Sequence, residues 1–544
     1  MIQKLLNAQT QSISRASFIL AGSYLVSALL GFLRDHLLAG KFGAGNELDV
    51  YYAAFTIPDF IALILVFGAI SAAIIPIFSA YYSTSKESAW QYVSVLLNVF
   101  LVCLIVICLV LIIFTPFIIS IIAPGFSNGK KETAILLMRI MFLSPILLGI
   151  SNIMSGILQV FHRFLVTALA PIMYNLGIII GILFFLPRFG LVGLVCGVIL
   201  GALLHLLIQV PAFFYSGFHY QRIFNFSHPG VIKTLKLMAP RSLGLGAGQF
   251  NTIVITAIAS TLTSGSIAVF TLANNLSSFF VNVVAVSIST AVFPAMALSF
   301  NNHNIKDFEK KFSGAFLQVI FLTVPASILI FLLRAQIVRV IYGSGKFGWM
   351  DTRLTAACLG IFAISLFAQG LIFILSKTFY AAHNTKIPAI ISVCTVAFNI
   401  VMSLFFVWVL QSSNVAFGFV QSALRLQGIK NISVAGLAVA FSLTAIIEAM
   451  TLLFFIYKKL KVFRLKNVSV SFYKIIISSI ATALVTLLAR QGLVAYHIIN
   501  MQTFFGVFLQ LVASGAAGII CYIIVSYLLK SDELNTIKEL FFKK

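Results

Sequence analysis

Continuous apolar runs of about 20 residues, the length that crosses a hydrocarbon core of roughly 30 Å, recur from one end of this 544-residue chain to the other. A backbone inside hydrocarbon has to satisfy its own hydrogen bonds, which leaves helices and closed barrels as the structures that can span. Barrel strands alternate apolar and polar side chains, whereas these runs do not alternate. The expected fold is therefore an all-α polytopic membrane protein. Composition agrees, since 61% hydrophobic and 9% charged residues leave too little polar surface to cover a water-soluble globule of this length.

About fourteen spans are expected, near 16–40, 51–81, 89–121, 133–160, 166–187, 190–216, 232–262, 266–298, 312–343, 354–381, 386–410, 432–457, 470–491 and 503–529. Several breaks carry proline or glycine, at Pro124-Gly125, Pro187, Gly190, Gly265 and Gly343 to Gly345. No loop is long enough to fold as a soluble domain. Residues 1–15 are polar and weakly basic and lack the short apolar region and cleavage site of a signal peptide, so the first span is expected to direct insertion. Six cysteines lie singly in apolar runs without metal or redox spacing and read as small hydrophobes.

The formal net charge of +23 is spread over short loops and not gathered in a polar domain, which argues against a nucleic-acid partner. With the N-terminus inside, twenty-one lysines and arginines fall in cytoplasmic segments against nine in the opposite loops. That imbalance predicts both termini in the cytoplasm.

An internal repeat organises the spans. Ser71 to Pro76 (SAAIIP) ends the second span and Ser289 to Pro294 (STAVFP) ends the eighth. Val192-Gly193-Leu194 has His205 twelve residues after its glycine, and Ala435-Gly436-Leu437 has Glu448 at the same distance. Spans 1–6 and 7–12 thus read as two copies of one unit, in the same orientation because each holds an even number of spans. The expected divisions are an N-terminal lobe at 1–230, a C-terminal lobe at 231–466, and a third segment at 467–544 with spans 13 and 14. Two such bundles facing each other are expected to enclose a central cavity.

Charges inside spans cost roughly 2.5–3.5 kcal/mol each on insertion scales unless they face protein, water or a ligand. Arg34 and Asp35 stand adjacent in the first span and are the leading candidates, with an interfacial snorkelling pair as the alternative. Arg241 and Lys377 sit near span ends, where snorkelling and a cavity role are both open. Arg139, Arg334 and Arg339 read as interfacial. Glu448, near the middle of span 12, has to be protonated, paired across helices or bound to a cation. Asp59 follows Pro58 in span 2 and belongs either to a helix break or to a site; His205 reads as a satisfied core histidine. There is no Walker loop, metal-ligand cluster or catalytic constellation, so no enzyme activity and no bound cofactor are expected. Transport would draw on an ion gradient, the membrane potential or the substrate gradient. Cations around a cavity suit a phosphate or pyrophosphate, which arginine grips with paired hydrogen bonds.

The run Gly31-Phe32-Leu33-Arg34-Asp35, followed by Phe42-Gly43-Ala44-Gly45, Asp49, Ala54-Phe55, Ile57-Pro58 and Ser71-Ala72, resembles the MurJ (MviN) family of lipid II flippases. This family belongs to the multidrug/oligosaccharidyl-lipid/polysaccharide exporter superfamily. Further matches are Ile157-Leu158-Gln159 to Arg163-Phe164, Ala170-Pro171 with Asn175, Pro240-Arg241, and Phe379-Tyr380-Ala381 to Thr385-Lys386 with Pro388. The resemblance implies fourteen helices in two six-helix lobes, a cationic central cavity, and a groove toward the last two helices for a lipid tail. It also implies transfer of an undecaprenyl-pyrophosphate-linked peptidoglycan precursor between leaflets of the bacterial cytoplasmic membrane, with membrane lipids and other cell-wall synthesis proteins as further candidate partners.

Arg34, Asp35 and Asp49 match family positions and carry over as substrate-binding candidates, with Arg241, Asn275 and Lys377 beside them. Two positions depart from the family pattern. Phe60 to Leu63 holds no charge where members often have paired arginines, and Asn275 stands before Leu276 where many members have arginine. Some members bind sodium through acids of the second lobe. Here Asn399 is the candidate, Ser403 stands where an acid is expected, and Glu448 is the alternative for sodium or proton coupling. Two rival readings stay open at this point: export of another polyprenyl-linked saccharide or amphipathic compound, and a transport-inactive membrane scaffold.

Overall fold

The computed structural model describes residues 13–67, 73–412, 415–429, 431–460, 465–495, 500 and 503–534. Its elements are helical throughout the described residues. The first part runs α1 (Ile13–Phe42), α2 (Asn46–Ile61), α3 (Ile75–Thr84), α4 (Lys86–Ile122), α5 (Asn128–Met141), α6 (Leu143–Val160), α7 (Phe164–Ile180), α8 (Leu186–Leu207), α9 (Val210–Tyr215) and α10 (Pro229–Ser260). The second runs α11 (Ser266–Val281), α12 (Ser287–Asn301), α13 (Ile305–Tyr342), α14 (Trp349–Ala381), α15 (Lys386–Gln411), α16 (Val415–Ala423), α17 (Val434–Phe455), α18 (Leu465–Ala495) and α19 (Phe504–Leu528). Ten helical stretches among the described residues are long and apolar enough to cross a membrane. One of them joins the expected spans 166–187 and 190–216 into Phe164–Tyr215, with a kink at Gly190, whose φ is +57°.

Packing divides the chain into two compact units, Met1–Ile267 and Ala268–Lys544. The helix α10, placed by the sequence repeat at the start of the second copy, packs against α2 and α4 in the first unit. Within that unit, α7 is the hub, lying against α1 on one side and α8 on the other. The contact between α7 and α8 is a seam of glycines. A Cβ on Gly177 would meet the Gly201 backbone at 2.3 Å, and one on Gly181 would meet Gly197 at 2.4 Å. With Gly193 this makes Gly-xxx-Gly spacing on both helices, which lets backbones approach where hydrocarbon gives no hydrophobic drive to associate. The close approach fixes the register of α7, and hence where Tyr174 and Asn175 point.

Short stretches of the described residues wind as π-helix, among them Ala62–Phe67, Gly181–Phe185, Asn282–Val286 and Ile456–Leu460. The first and third occupy matching places in the two sequence copies, ahead of Pro76 and Pro294. A π-turn leaves backbone groups out of the regular ladder and is frequent at functional sites. Before the first of them, Pro58 lies inside α2 and cannot donate to the preceding turn.

In the second unit α13 packs on α14, and α14 and α15 both pack on α17. The last two helices pair with each other and lie along α13. Buried polar bonds fasten them there. Gln336 donates to Gln510 at 2.8 Å, and the Tyr522 hydroxyl donates to the Phe321 carbonyl at 2.7 Å.

Candidate functional site

The arginine and aspartate of the first helix face protein. Arg34 Nε donates to Asp35 Oδ1 at 2.9 Å, and Nη2 lies 2.8 Å from the same oxygen. Nη1 reaches Asn175 Oδ1 on α7 at 3.4 Å. Asn175 is itself held by its amide nitrogen, which donates to the Ser27 carbonyl and hydroxyl and to the Pro171 carbonyl, each at 3.2 Å. A guanidinium has five N–H groups. Among the described residues Asp35 and Asn175 engage three, leaving two on the terminal nitrogens. The Asp35 side chain is 3% exposed and that of Arg34 25%, so the acid is sealed in while the cation stays open to a ligand.

The surroundings of Arg34 come from α2 and α7. Tyr51, Tyr52, Tyr174 and Asp59 all lie within its electrostatic reach. Tyr51 is buried, and the half-buried Tyr52 has a buried hydroxyl without a hydrogen-bond partner among the described residues. A buried hydroxyl left in that state costs about 1–3 kcal/mol. Asp59 is exposed and accepts a hydrogen bond from Gln249 Nε2 of α10 at 3.0 Å. One end of this group is thus a half-open cation, and the other is a solvent-facing carboxylate tied to an amide.

Asp49 does other work. It is buried in the first turn of α2, where its Oδ2 accepts the Gly265 N–H at 2.6 Å. Ser264 donates to Asn46 beside it. Gly265 has φ +88°, and a Cβ there would meet the Ala44 carbonyl oxygen at 1.9 Å. Asp49 therefore pins the Gly43–Gly45 turn against the loop before α11. Asp49 also lies within electrostatic reach of Tyr52, as Arg34 and Asp35 do.

Of the other candidates, Arg241 lies on the backbone of α10 and its side chain falls outside the described residues. Asn275 is half-buried on α11. Lys377 Nζ on α14 donates to the Thr290 hydroxyl on α12 at 2.5 Å, which ties it to the repeat motif of the eighth span. His205 is buried in a satisfied network: its Nδ1 is 2.6 Å from the Ser151 hydroxyl, and Gln209 donates to both Ser151 and the His205 carbonyl.

The coupling candidates Glu448 and Asn399 are brought together. The Glu448 carboxyl on α17 lies close to the side chain of Thr395 on α15, whose hydroxyl donates to the Ser392 carbonyl at 3.0 Å. One turn along each helix, Asn399 Nδ2 donates to Thr444 Oγ1 at 3.3 Å, and Ser403 donates to Asn399 Oδ1 at 3.4 Å. Thr395, Asn399 and Ser403 face Thr444 and Glu448 as a polar ladder between antiparallel helices. These oxygen donors suit a proton or a hard cation. No grouping of three or more His, Cys, Asp or Glu side chains able to hold a metal occurs among the described residues.

The sequence model of the family described as lipid II flippase MurJ matches residues 38–509. The chain is 32% identical over 397 residues to a probable lipid II flippase MurJ of Buchnera aphidicola subsp. Acyrthosiphon pisum, spanning 72% of this chain and 78% of that one. It is 30% identical over 415 residues to a probable lipid II flippase MurJ of Rhizobium tropici, spanning 74% and 78%. Among solved structures, a lipid II flippase MurJ in an inward closed conformation superposes with a TM-score of 0.75 at 25% identity, covering 95% of this chain and 99% of the other. An inward-facing multidrug resistance MATE family transporter of the MOP superfamily shares the fold, with a TM-score of 0.63 at 15% identity over 80% of this chain and 94% of the other. With a family match across most of its length and relatives of this similarity, the chain belongs to the MurJ family of lipid II flippases.

Proposed function

We propose that this chain carries lipid II from the inner to the outer leaflet of a bacterial cytoplasmic membrane, with both termini in the cytoplasm. The observation that carries the reading is Arg34: a cation inside a spanning helix, oriented by Asp35 and Asn175 and, among the described residues, left with two uncommitted N–H groups. That arrangement suits the pyrophosphate of the carrier lipid, because planar N–H pairs match phosphate oxygens. Family membership supports the same substrate. Asp35 lowers the cost of keeping a guanidinium in the membrane while leaving its open edge for the ligand. Lys377 and Arg241 are proposed as further cations for the head group, Asn275 as a neutral contact, and Asp49 as a residue that holds the α1–α2 turn beneath it.

Binding of lipid II to the purified protein tests the reading. A charge-assisted hydrogen bond contributes about 1.5–3 kcal/mol, and 1.4 kcal/mol is a factor of ten. Arg34→Ala is therefore expected to weaken binding by roughly 10- to 100-fold, with Arg34→Lys in between because it keeps the charge and loses the fork. Unchanged affinity in Arg34→Ala would remove Arg34 from the site.

A further inference from the structure

Four arginines gather at one end of the second unit, where α13 runs into α14 and where α18 ends. Arg353, in the first turns of α14, donates from Nε and Nη2 to the Arg425 carbonyl at 3.2 and 2.6 Å and from Nη2 to the Gln427 carbonyl at 2.9 Å. It thereby holds the loop after α16 in place, and with it the exposed Arg425. Arg490, near the end of α18, donates to the Leu332 carbonyl at 2.6 Å. Two residues along α13, Arg334 lies against Gly360, where a Cβ would meet its Cδ at 2.6 Å. Arg425 is within electrostatic range of both Arg334 and Arg490. The four side chains thus come from four separate stretches of the chain and converge.

Their polar partners are backbone carbonyls and not acids. Among the described residues none of the four is ion-paired with a carboxylate. Asp351, the acid two residues before Arg353, caps its own helix by accepting the Gly348 N–H at 3.1 Å. Like charges held close without a counter-charge destabilise the fold unless an anion offsets them. Carbonyl bonds orient the guanidinium groups but supply no negative charge. Arg425 enters through the stretch Gln411–Lys430, which lengthens the second sequence copy relative to the first.

We propose that this cluster is a second anion site, separate from Arg34, which takes a phosphate or pyrophosphate group at the membrane surface. Basic pockets between spanning helices recognise such groups on lipids, and guanidinium forks match phosphate oxygens. The proposal does not depend on what Arg34 binds.

The test uses the full chain in an uncharged detergent, with its thermal unfolding midpoint read against added ligand. One arm adds inorganic pyrophosphate and the other adds phosphatidylglycerol, with phosphatidylcholine as the neutral comparison. The natural chain is expected to be stabilised by at least one anionic probe, and the effect is expected to shrink with salt. Pyrophosphate alone would identify a free anion as sufficient, and phosphatidylglycerol alone would identify a lipid head group. Arg425→Ala, at an exposed side chain whose backbone carbonyl remains to hold Arg353, is expected to bind roughly tenfold more weakly, and Arg490→Gln is the second variant. Absence of stabilisation by both probes, or equal stabilisation of the natural chain and both cluster variants, would overturn the proposal.

Discussion

At the scale of residues, the arrangement around Arg34 is asymmetric by construction. Asp35 is sealed beside it and supplies one oxygen, and Asn175 supplies a neutral acceptor, so the guanidinium is held without being neutralised on all sides. Two substitutions at Asn175 separate holding from charge. Asn175→Ala removes the bridge between α7 and the Ser27 carbonyl and is expected to lower stability by about 1–3 kcal/mol, with several-fold weaker lipid II binding. Asn175→Asp places a second carboxylate against Arg34 and is expected to lose nearly all binding of a pyrophosphate lipid. Equal affinities for the two variants, measured by titration, would show that the charge balance at Arg34 is irrelevant. The Arg34–Asp35 pair was legible in the sequence because charge in an apolar run is costly and conspicuous. Asn175, Tyr51, Tyr52 and Tyr174 were not singled out as site residues. Neutral polar side chains carry no comparable signal, and the contact from Arg34 to Asn175 spans 141 residues of chain.

At the scale of elements, helix packing decides whether those residues meet. The glycine seam between α7 and α8 leaves no room for a side chain at Gly177, Gly181, Gly197 or Gly201. Gly197→Leu is expected to force the helices apart, lowering the yield of folded protein and the unfolding midpoint. Gly248→Ala, where a Cβ would meet nothing within 4 Å, is expected to leave both near the natural values. The Gly-xxx-Gly spacing was present in the sequence all along, but spacing does not reveal which helix a seam faces. The polar ladder between α15 and α17 teaches the same lesson. Glu448 stands out as a lone mid-span acid, while its neighbour Thr395 is an ordinary threonine in another apolar run. If the ladder is where a cation or proton enters, Glu448→Gln should abolish any sodium or pH dependence of transport and leave lipid II binding intact. Persistence of that dependence in vesicles carrying the variant would exclude Glu448.

At the scale of the whole molecule, the repeat seen in the motifs has a structural counterpart in the π-helical stretches ahead of Pro76 and Pro294. Membrane class, helical fold and family were readable from continuous apolar runs and from the Gly31 to Asp35 and Phe42 to Gly45 motifs. What the chain alone could not supply was the packing of α10, which sits with the first unit although the repeat counts it with the second. The measurement that tests the central claim most directly is complementation of a bacterium depleted of its own lipid II flippase, with lipid II in the outer leaflet assayed and protein levels matched. The account predicts that the natural chain restores outer-leaflet lipid II and growth and that Arg34→Ala restores neither. Failure of a well-inserted natural chain, or full rescue by Arg34→Ala, would contradict it.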